Sequence, residues 1–387
     1  MGKMIYLDNA ATTKISHKAM EAMVSSMENT YGNPSSLHQI GMEANDALQT
    51  AREQIARCLG CTPKEIYFTS GGTESDNQAI ISAAMLGEKQ NKKHIISTAF
   101  EHHAVLYTLR KLKEQGFEVE LLDAGEEGNI TAEQVQAAIR PDTILVSLMH
   151  VNNEIGAVEP VAEAGTLIKQ VNPQTLFHVD AIQSYGKMRI YPSKMGIDLL
   201  SVSGHKIHGP KGSGFLYIKD KTKIKPLING GGQQRGMRSG TENVPAIAGL
   251  GVAAEEIYTG FDEKIDRMYE LREHFIEEAQ KIPGVSINGK LNRESAPHIV
   301  SVSIEGVRAE VMLHALEDKE IYVSAGSACS SNKPAVSRTL KSIGLKDTLL
   351  DSTIRFSFCV DTTQKEIDYA LEEMNRVIPM LQKYTRH

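Results

Sequence analysis

The chain has 387 residues, of which 41% are hydrophobic and 23% are charged, and its formal net charge is −6. A chain of this length is expected to form more than one core, and its composition is typical of an ordinary soluble globular protein. The slightly acidic balance disfavours direct binding to nucleic acid or to an anionic membrane, and no apolar run is long enough to span a bilayer.

The N-terminal segment and the cysteines indicate a cytoplasmic protein. Asp8 and Asn9 interrupt the apolar run that a secretory signal would need, and Tyr6 stands where a myristoylation signal would need Ser or Thr. Four cysteines are too few for a disulfide scaffold in a chain this long. We therefore expect a cytoplasmic location and reduced thiols.

In chain order, the first part of the sequence alternates helical and strand patterns. An apolar stripe over 41–59 predicts a helix, "EIYFTS" predicts a strand, and "GGTESDNQAIISAAML" predicts a helix that starts at Thr73 with Asp76 completing a capping box. Further strand-like runs lie at 94–98, 118–122, 143–149, 176–180, 198–202 and 214–218. Helical patterns between several of these runs predict βαβ units and a largely parallel sheet.

From about residue 250 the pattern changes. A long amphipathic segment leads to short strands predicted at 298–304 and 321–324, and a capping box from Thr363 to Glu366 opens the last helix. We predict an α/β protein with a large domain at 16–255. Residues 1–15 and 256–387 are predicted to form a smaller α+β domain.

The stretch "SGGTES" contains the first candidate binding residues, Gly72 and Thr73. A strand ends there and a helix begins, so free backbone N–H groups and the positive end of the helix dipole would favour a phosphate. The stretch matches neither the P-loop nor the G-x-G-x-x-G pattern. A tight turn with a helix cap is the alternative.

Asp180 and Lys206 each follow an apolar strand pattern, which places both at the same edge of a parallel sheet. A carboxylate and an amine at this edge suit pyridoxal phosphate (PLP), because the lysine forms the Schiff base and the aspartate keeps the pyridine nitrogen protonated. Gln183 could donate to a ring substituent, and Ser203 and His205 could donate to the phosphate. The alternative for Asp180 is a helix cap.

A metal site is the rival interpretation of the histidines. His205 and His208 could bind a metal together with His102 or His103, but no acidic or cysteine ligand accompanies them at zinc-site spacing. Cys58 and Cys61 form a C-x-x-C pattern without a second pair. We therefore predict no metal site.

Many short motifs occur in the order found in one known family. They are "YLDNAATT", "YGNPSS", "FTSGGTESDN", "EHHAV", "HVNNEIG", "HVDAIQSYGK", "SGHKIHGPKG", "RSGTEN", "GSACSS" and "IRFSF". The chain resembles the cysteine desulfurases of the class-V aminotransferase family over almost its whole length. The resemblance implies the PLP-dependent transferase fold of type I, with a mainly parallel seven-stranded sheet, in a homodimer.

The resemblance also implies roles for individual residues. Those that would hold PLP are Gly72, Thr73, His103, Asp180, Gln183, Ser203, His205, Lys206 and Thr241 of the partner subunit. Within this set, Lys206 is the implied Schiff-base lysine, and His103 is implied to stack on the ring and to help in proton transfer. Asn153 and Arg355 would hold the substrate carboxylate, and Cys329 would take the sulfur.

Two of these residues also have local sequence support. Cys329 lies among small residues in "SAGSACSSNKP", which predicts an accessible loop, although a surface thiol without function is the alternative. Arg355 lies among apolar residues in "TIRFSFCV", where a guanidinium needs a partner. A substrate carboxylate would provide one, and a structural salt bridge is the alternative.

The predicted activity is therefore that of a cysteine desulfurase. L-cysteine would give L-alanine and a persulfide on Cys329. An acceptor protein, such as an iron–sulfur scaffold or a tRNA sulfurtransferase, would receive the sulfur, and Cys329 could contact a cluster on that partner transiently. The rival functions are a PLP aminotransferase or selenocysteine-directed lyase in which Cys329 is incidental, and a non-catalytic protein that binds a phosphate ligand.

Overall fold

The computed structural model describes residues 4–325 and 337–384. The strands of this part are β1 Ile5–Tyr6, β2 Ile66–Thr69, β3 His94–Thr98, β4 Glu118–Leu122, β5 Thr143–Met149, β6 Leu176–Asp180, β7 Leu199–Ser203, β8 Gly214–Ile218, β9 Val285–Asn288, β10 Ile299–Ile304, β11 Ile321–Tyr322, β12 Ser324–Ala325 and β13 Thr353–Ser357. The helices are α1 His17–Asn29, α2 Gln39–Leu59, α3 Gly72–Lys89, α4 His103–Glu114, α5 Ala132–Ala138, α6 Val161–Val171, α7 Val244–Tyr258, α8 Phe261–Ala279, α9 Ala309–Glu317, α10 Arg338–Ser342, α11 Asp347–Leu350 and α12 Gln364–Tyr384.

The central sheet has seven strands in the order β2-β8-β7-β6-β5-β3-β4. Strands β7, β6, β5, β3 and β4 run parallel to one another, whereas β8 pairs antiparallel with both β2 and β7. Every residue of β3, β5, β7 and β8 is buried, as expected for strands covered on both faces. This sheet confirms the predicted fold class.

A second, antiparallel sheet of four strands, in the order β12-β13-β10-β9, lies in the C-terminal part. Its apolar core includes Phe275 of α8, Met312 of α9, Phe356 of β13 and Met374 of α12. The predicted capping box of α12 is confirmed, because Glu366 accepts a hydrogen bond from the Thr363 backbone N–H at 2.8 Å. The boundaries predicted between the two domains stay a prediction.

The start of α3 differs from the prediction. The helix begins at Gly72, with Gly71 at the N-cap position, so Thr73 lies inside the first turn. Asp76 is completely buried rather than completing a capping box. The backbone freedom of Gly71, which has φ 149°, brings the chain into the helix without a side-chain cap. Across the residues that the structure describes, no helix is long and apolar enough to cross a membrane.

Candidate active site

A cavity of about 230 Å³ lies at the carboxyl ends of β6 and β7, next to the start of α3. The residues of the N-terminal segment and of β13 complete its wall. The predicted site residues that line it are Gly72, Thr73, Asn153, Asp180, Gln183, Ser203, His205, Lys206 and Arg355. The fold therefore brings together residues that are far apart in the sequence.

The start of α3 forms one end of this cavity. The first backbone N–H groups of a helix have no acceptor within the helix, and the helix dipole is positive there. A Cβ at position 72 would lie 2.1 Å from the Cδ1 atom of Ile182, so a side chain there would displace a cavity-lining residue. The glycine thus lets the start of α3 pack closely against Ile182, and the first N–H groups of the helix suit an anion such as a phosphate.

A carboxylate in the first turn of α3 would oppose an anion, but its charge is compensated. Glu74 accepts a hydrogen bond from Arg238 Nε at 2.9 Å and another from the Ser70 backbone N–H at 3.0 Å. Burial raises the pKa of Glu74, but the hydrogen bonds from Arg238 and Ser70 outweigh burial and hold it below its usual range. Arg238 therefore neutralises the acidic residue nearest to the proposed anion site.

Asp180, the last residue of β6, is 4% exposed. Burial raises its pKa to about 6, while the hydrogen bond from the Ile182 N–H and the charge of Lys206 lower it. Its Oδ1 accepts that N–H at 2.9 Å within a turn, so the predicted alternative of a helix cap is not what the structure has. A carboxylate with a raised pKa in a cavity is suited to bind a cationic group of a ligand.

Beneath Asp180 lies a layer of buried polar side chains. His178 forms hydrogen bonds with Ser147 at 2.8 Å and with Ser201 at 2.9 Å, and its Nε2 lies 3.6 Å from Asp76 Oδ1. Burial, followed by the charge of Asp180, raises the pKa of Asp76 well above its usual value. The sequence analysis did not identify this layer, because His178 and Ser147 occur in otherwise apolar strand patterns.

Lys206 ends a short 3₁₀ turn, Gly204–Lys206, that directly follows β7. Its Nζ donates hydrogen bonds to the carbonyl of Ala10 at 2.5 Å and to that of Ala11 at 2.8 Å. The N-terminal segment therefore orients the lysine amine at the cavity wall. Gln183 is fixed by the same segment, because its Nε2 donates to the Ala10 carbonyl at 2.9 Å.

Arg355 lies on β13 and is 5% exposed. Its Nη1 donates to the Asn153 carbonyl at 2.6 Å, and its Nη2 donates to Asp8 Oδ1 at 2.9 Å. Among the described residues, none accepts a hydrogen bond from its Nε. The alternative of a structural salt bridge is thus present in the pair with Asp8, and each Nη atom retains a second N–H for a carboxylate in the cavity.

The two adjacent histidines in "EHHAV" have different positions. His102 is the N-cap residue of α4 and lines the cavity, where burial and then the charge of Lys206 lower its pKa to about 4. Its Nδ1 accepts the Ala104 N–H at 3.2 Å, which places the ring proton on Nε2. His103 is not among the described cavity-lining residues and instead stacks on Tyr107 with 5.0 Å between ring centroids. The structure therefore places His102, and not the predicted His103, among the described cavity-lining residues.

Two further predicted residues are not part of the described cavity wall. Thr241 is exposed and is not among the described residues of this cavity wall, and Cys329 lies outside the described residues. Burial raises the pKa of Cys58 to about 11 and that of Cys61 to about 12, so both thiols stay protonated at neutral pH. These values disfavour a redox role for the C-x-x-C pattern.

Residues 5–370 match the model of the class-V aminotransferases. The chain belongs to this family. Cysteine desulfurase IscS of Methanosarcina thermophila is 42% identical over 98% of this chain and 93% of its own length. IscS of Vibrio cholerae serotype O1 (strain M66-2) is 45% identical over 95% of this chain and 91% of its own length. The resemblance to cysteine desulfurases is confirmed.

Solved structures of the class-V family have the same fold. A structure described as a NifS-like protein has a TM-score of 0.92 and 37% identity, covering 98% of this chain and 100% of its own. SspA in complex with cysteine has a TM-score of 0.78 and 35% identity, covering 92% and 99% of the two chains. Both matches extend over more than nine-tenths of this chain.

PLP is the cofactor that membership of this family implies, and the cavity residues fit it. The helix N-terminus at Gly72 suits the phosphate, and the raised pKa of Asp180 suits a pyridinium partner. Lys206 supplies an amine in the same cavity. Each of these groups has the chemistry that one part of PLP requires.

Proposed function

We propose that the chain is a PLP-dependent cysteine desulfurase that works in the cavity between β6, β7 and α3. The observation that carries this proposal is the convergence of Lys206, Asp180 and Arg355 on one cavity. The amine and carboxylate suit the cofactor, and the guanidinium suits the carboxylate of an amino acid. The relatives that match nearly the whole chain are named cysteine desulfurases.

The cofactor would be held at its two ends. The phosphate would lie against the start of α3, with Ser203 and His205 as further donors, and Asp180 would bind the ring nitrogen. Gln183 would contact a ring substituent. Bound in this way, PLP supplies an electron-withdrawing ring that stabilises negative charge at the α-carbon of an amino acid.

The side chains around the cofactor would position the substrate and move its protons. Arg355 and Asn153 would hold the carboxylate of L-cysteine, which fixes the α-proton relative to the Lys206 amine. Lys206 would remove that proton as a general base. His102, rather than His103, would donate or accept a proton at the cavity wall, because its lowered pKa keeps the ring neutral at physiological pH.

Cys329 would be the sulfur acceptor within the chain, a role that rests on the "GSACSS" motif since the residue lies outside the described ones. Its thiolate would take the sulfur atom from the substrate β-carbon and become a persulfide, and L-alanine would be released. The persulfide would then pass to an acceptor protein. Iron–sulfur cluster, thiolated tRNA and sulfur-cofactor synthesis each need such a donor.

We propose a homodimer because one surface of the chain is unusually apolar. The exposed large apolar residues on α1, on the start of α2 and between them are Met20, Val24, Met27, Tyr31, Leu37, Ile40 and Met42. Exposed large apolar side chains concentrated in one part of a chain are typical of a protein interface. The exposed position of Thr241 is compatible with its predicted contact to the site of the other subunit. A charge at Leu37 should shift the sedimentation mass from that of two chains towards that of one, and an unchanged mass would exclude this face.

The direct test is mass spectrometry after the holoenzyme has reacted with L-cysteine. The peptide that contains Cys329 should gain one sulfur atom while L-alanine is released. The Cys329→Ala variant should lose sulfur removal, whereas the Cys58→Ala control should retain it. If Cys329→Ala removed sulfur at the rate of the unmodified enzyme, the chain would act instead as an aminotransferase or a selenocysteine-directed lyase.

A further inference from the structure

A cluster of possible metal ligands lies outside the cavity lining. One ring nitrogen of His208, the Sγ atom of Cys359 and one carboxylate oxygen of Asp361 lie within 4.8 Å of one another. His208 follows the turn that carries Lys206, and the other two residues follow β13, which carries Arg355. Two distant chain segments therefore contribute an imidazole, a thiol and a carboxylate to one point.

The histidine of this cluster is oriented as metal-binding histidines usually are. His208 is buried and has φ 62°, and its backbone N–H donates to Thr13 Oγ1 at 2.8 Å. Its Nδ1 lies 2.9 Å from the carbonyl oxygen of Lys14. Because a carbonyl can only accept, Nδ1 carries the proton and Nε2 keeps its lone pair. A backbone carbonyl on the second ring nitrogen is the common arrangement behind a metal-bound imidazole.

The thiol of the cluster is surrounded by hydrogen-bond donors. Thr362 Oγ1 donates to Cys359 Sγ at 3.7 Å, and the same oxygen accepts the Cys359 backbone N–H at 2.9 Å. The Asp361 backbone N–H is a further donor to this thiol. A half-buried thiol with such donors is stable as a thiolate when a cation balances its charge.

Nearby charges complete the environment of the cluster. The carboxylates of Glu256 and Asp361 place negative charge near His208, and Lys187 places positive charge there. Asp361 is exposed, so one side of the cluster is open to solvent and to water as a further ligand. An imidazole, a thiolate and a carboxylate together are a ligand set that suits Zn²⁺ better than Mg²⁺ or Ca²⁺.

We propose that His208, Cys359 and Asp361 form a zinc site with water in the remaining coordination position. The ion would bridge the segment after Lys206 and the segment after β13, which fixes two walls of the cavity relative to each other. The sequence analysis expected no metal because it sought ligands near the histidines in the sequence. The thiol and carboxylate come instead from the C-terminal part of the chain.

The test is equilibrium dialysis of the holoenzyme against buffered free Zn²⁺, with the bound metal measured by mass spectrometry. The starting protein is the Cys329→Ser variant, so that the predicted sulfur-accepting thiol does not bind the ion. This variant should hold about one zinc per chain, and the added Cys359→Ser change should remove most of it. The added Cys58→Ser change is the matched control and should leave the zinc content unchanged.

A second variant keeps the test decisive if Cys359→Ser fails to fold. Asp361 is exposed, so Asp361→Asn should leave the fold intact and weaken zinc binding by about 10- to 100-fold. Zinc content that is the same with and without the Cys359 thiol would overturn the proposal, as would unchanged affinity in Asp361→Asn. Absence of zinc from the Cys329→Ser holoenzyme would also overturn it. None of these measurements depends on desulfurase activity.

Discussion

Two buried arginines in the C-terminal part of the chain have contrasting surroundings. Arg272 on α8 donates to four backbone carbonyls, at distances between 2.7 Å and 3.4 Å. Arg355 lines the cavity, and no described residue accepts from its Nε. Burial of a charge is costly unless its hydrogen bonds are satisfied. We infer that Arg272 holds the fold together and that Arg355 keeps capacity for a ligand.

Two buried carboxylates repeat the contrast. Glu65 accepts the backbone N–H groups of Thr62 at 2.8 Å and of Asp220 at 3.0 Å, and burial is outweighed by these hydrogen bonds, so its pKa is lowered. Asp180 accepts one backbone N–H, from Ile182, and burial raises its pKa to about 6. A buried charged group whose hydrogen bonds are satisfied within the protein therefore indicates a structural role. A charged group at a cavity with unsatisfied hydrogen bonds indicates a binding site.

The largest expected effect is the loss of kcat when the amine at this cavity is removed. Lys206→Ala should lower kcat for L-cysteine desulfuration by at least about 10³-fold, because the general base is lost. The free energy of unfolding of the variant should fall only modestly, because Lys206→Ala removes hydrogen bonds to the Ala10 and Ala11 carbonyls at the cavity wall. Steady-state kinetics and thermal unfolding measure the two quantities. A variant that kept kcat would contradict the assignment of Lys206.

Substitution of Arg355 should affect substrate binding, whereas substitution of Arg272 should affect stability. Arg355→Gln should lower kcat/KM for L-cysteine by about 10²- to 10³-fold, because charge-assisted hydrogen bonds to the carboxylate are lost. Arg272→Gln should lower the free energy of unfolding by about 3 kcal/mol, because the substitution leaves buried carbonyls unpaired. The kcat/KM of the folded Arg272→Gln enzyme should stay within about twofold of the original value. A larger loss of kcat/KM in Arg272→Gln than in Arg355→Gln would contradict these assignments.

The two carboxylates should give opposite pH dependences in the cofactor-free protein. The raised pKa of Asp180 stabilises the fold at low pH, and this stabilisation, about 3 kcal/mol, is lost as the pH rises from about 4 through about 6. The lowered pKa of Glu65 stabilises the fold above its unfolded pKa, and that stabilisation is lost as the pH falls. The free energy of unfolding can be measured by denaturant titration at a series of pH values. Asp180→Asn should abolish the decrease with rising pH, and Glu65→Gln should abolish the decrease with falling pH. Identical pH profiles for both variants would contradict the contrast.

The smallest expected effect is a difference in kcat between variants of the two adjacent histidines. His102→Gln should lower kcat by about 10²-fold, because a proton-transfer group at the cavity is removed. His103→Gln should change kcat by less than about twofold, because that ring packs on Tyr107. A larger loss in His103→Gln than in His102→Gln would restore the prediction made from the sequence.

The sequence predicted those features that follow from chain periodicity. Apolar runs predicted the strands, and the rule that parallel strands end at one sheet edge placed Asp180 and Lys206 together. The choice between His102 and His103 could not be made this way, because it depends on which residue caps α4. The pair of Asp8 and Arg355 joins opposite ends of the chain, and no local pattern indicates such a contact.

The most direct test of the central claim is to locate the cofactor in the chain. Borohydride reduction of the holoenzyme makes the bond between lysine and cofactor permanent, and peptide mass spectrometry then identifies the labelled residue. Lys187 is a demanding internal control, because it donates to the Lys206 carbonyl at 2.5 Å and burial lowers its pKa to about 7. We predict the label on Lys206 alone. Labelling of Lys187, or of no lysine at the cavity, would contradict the account.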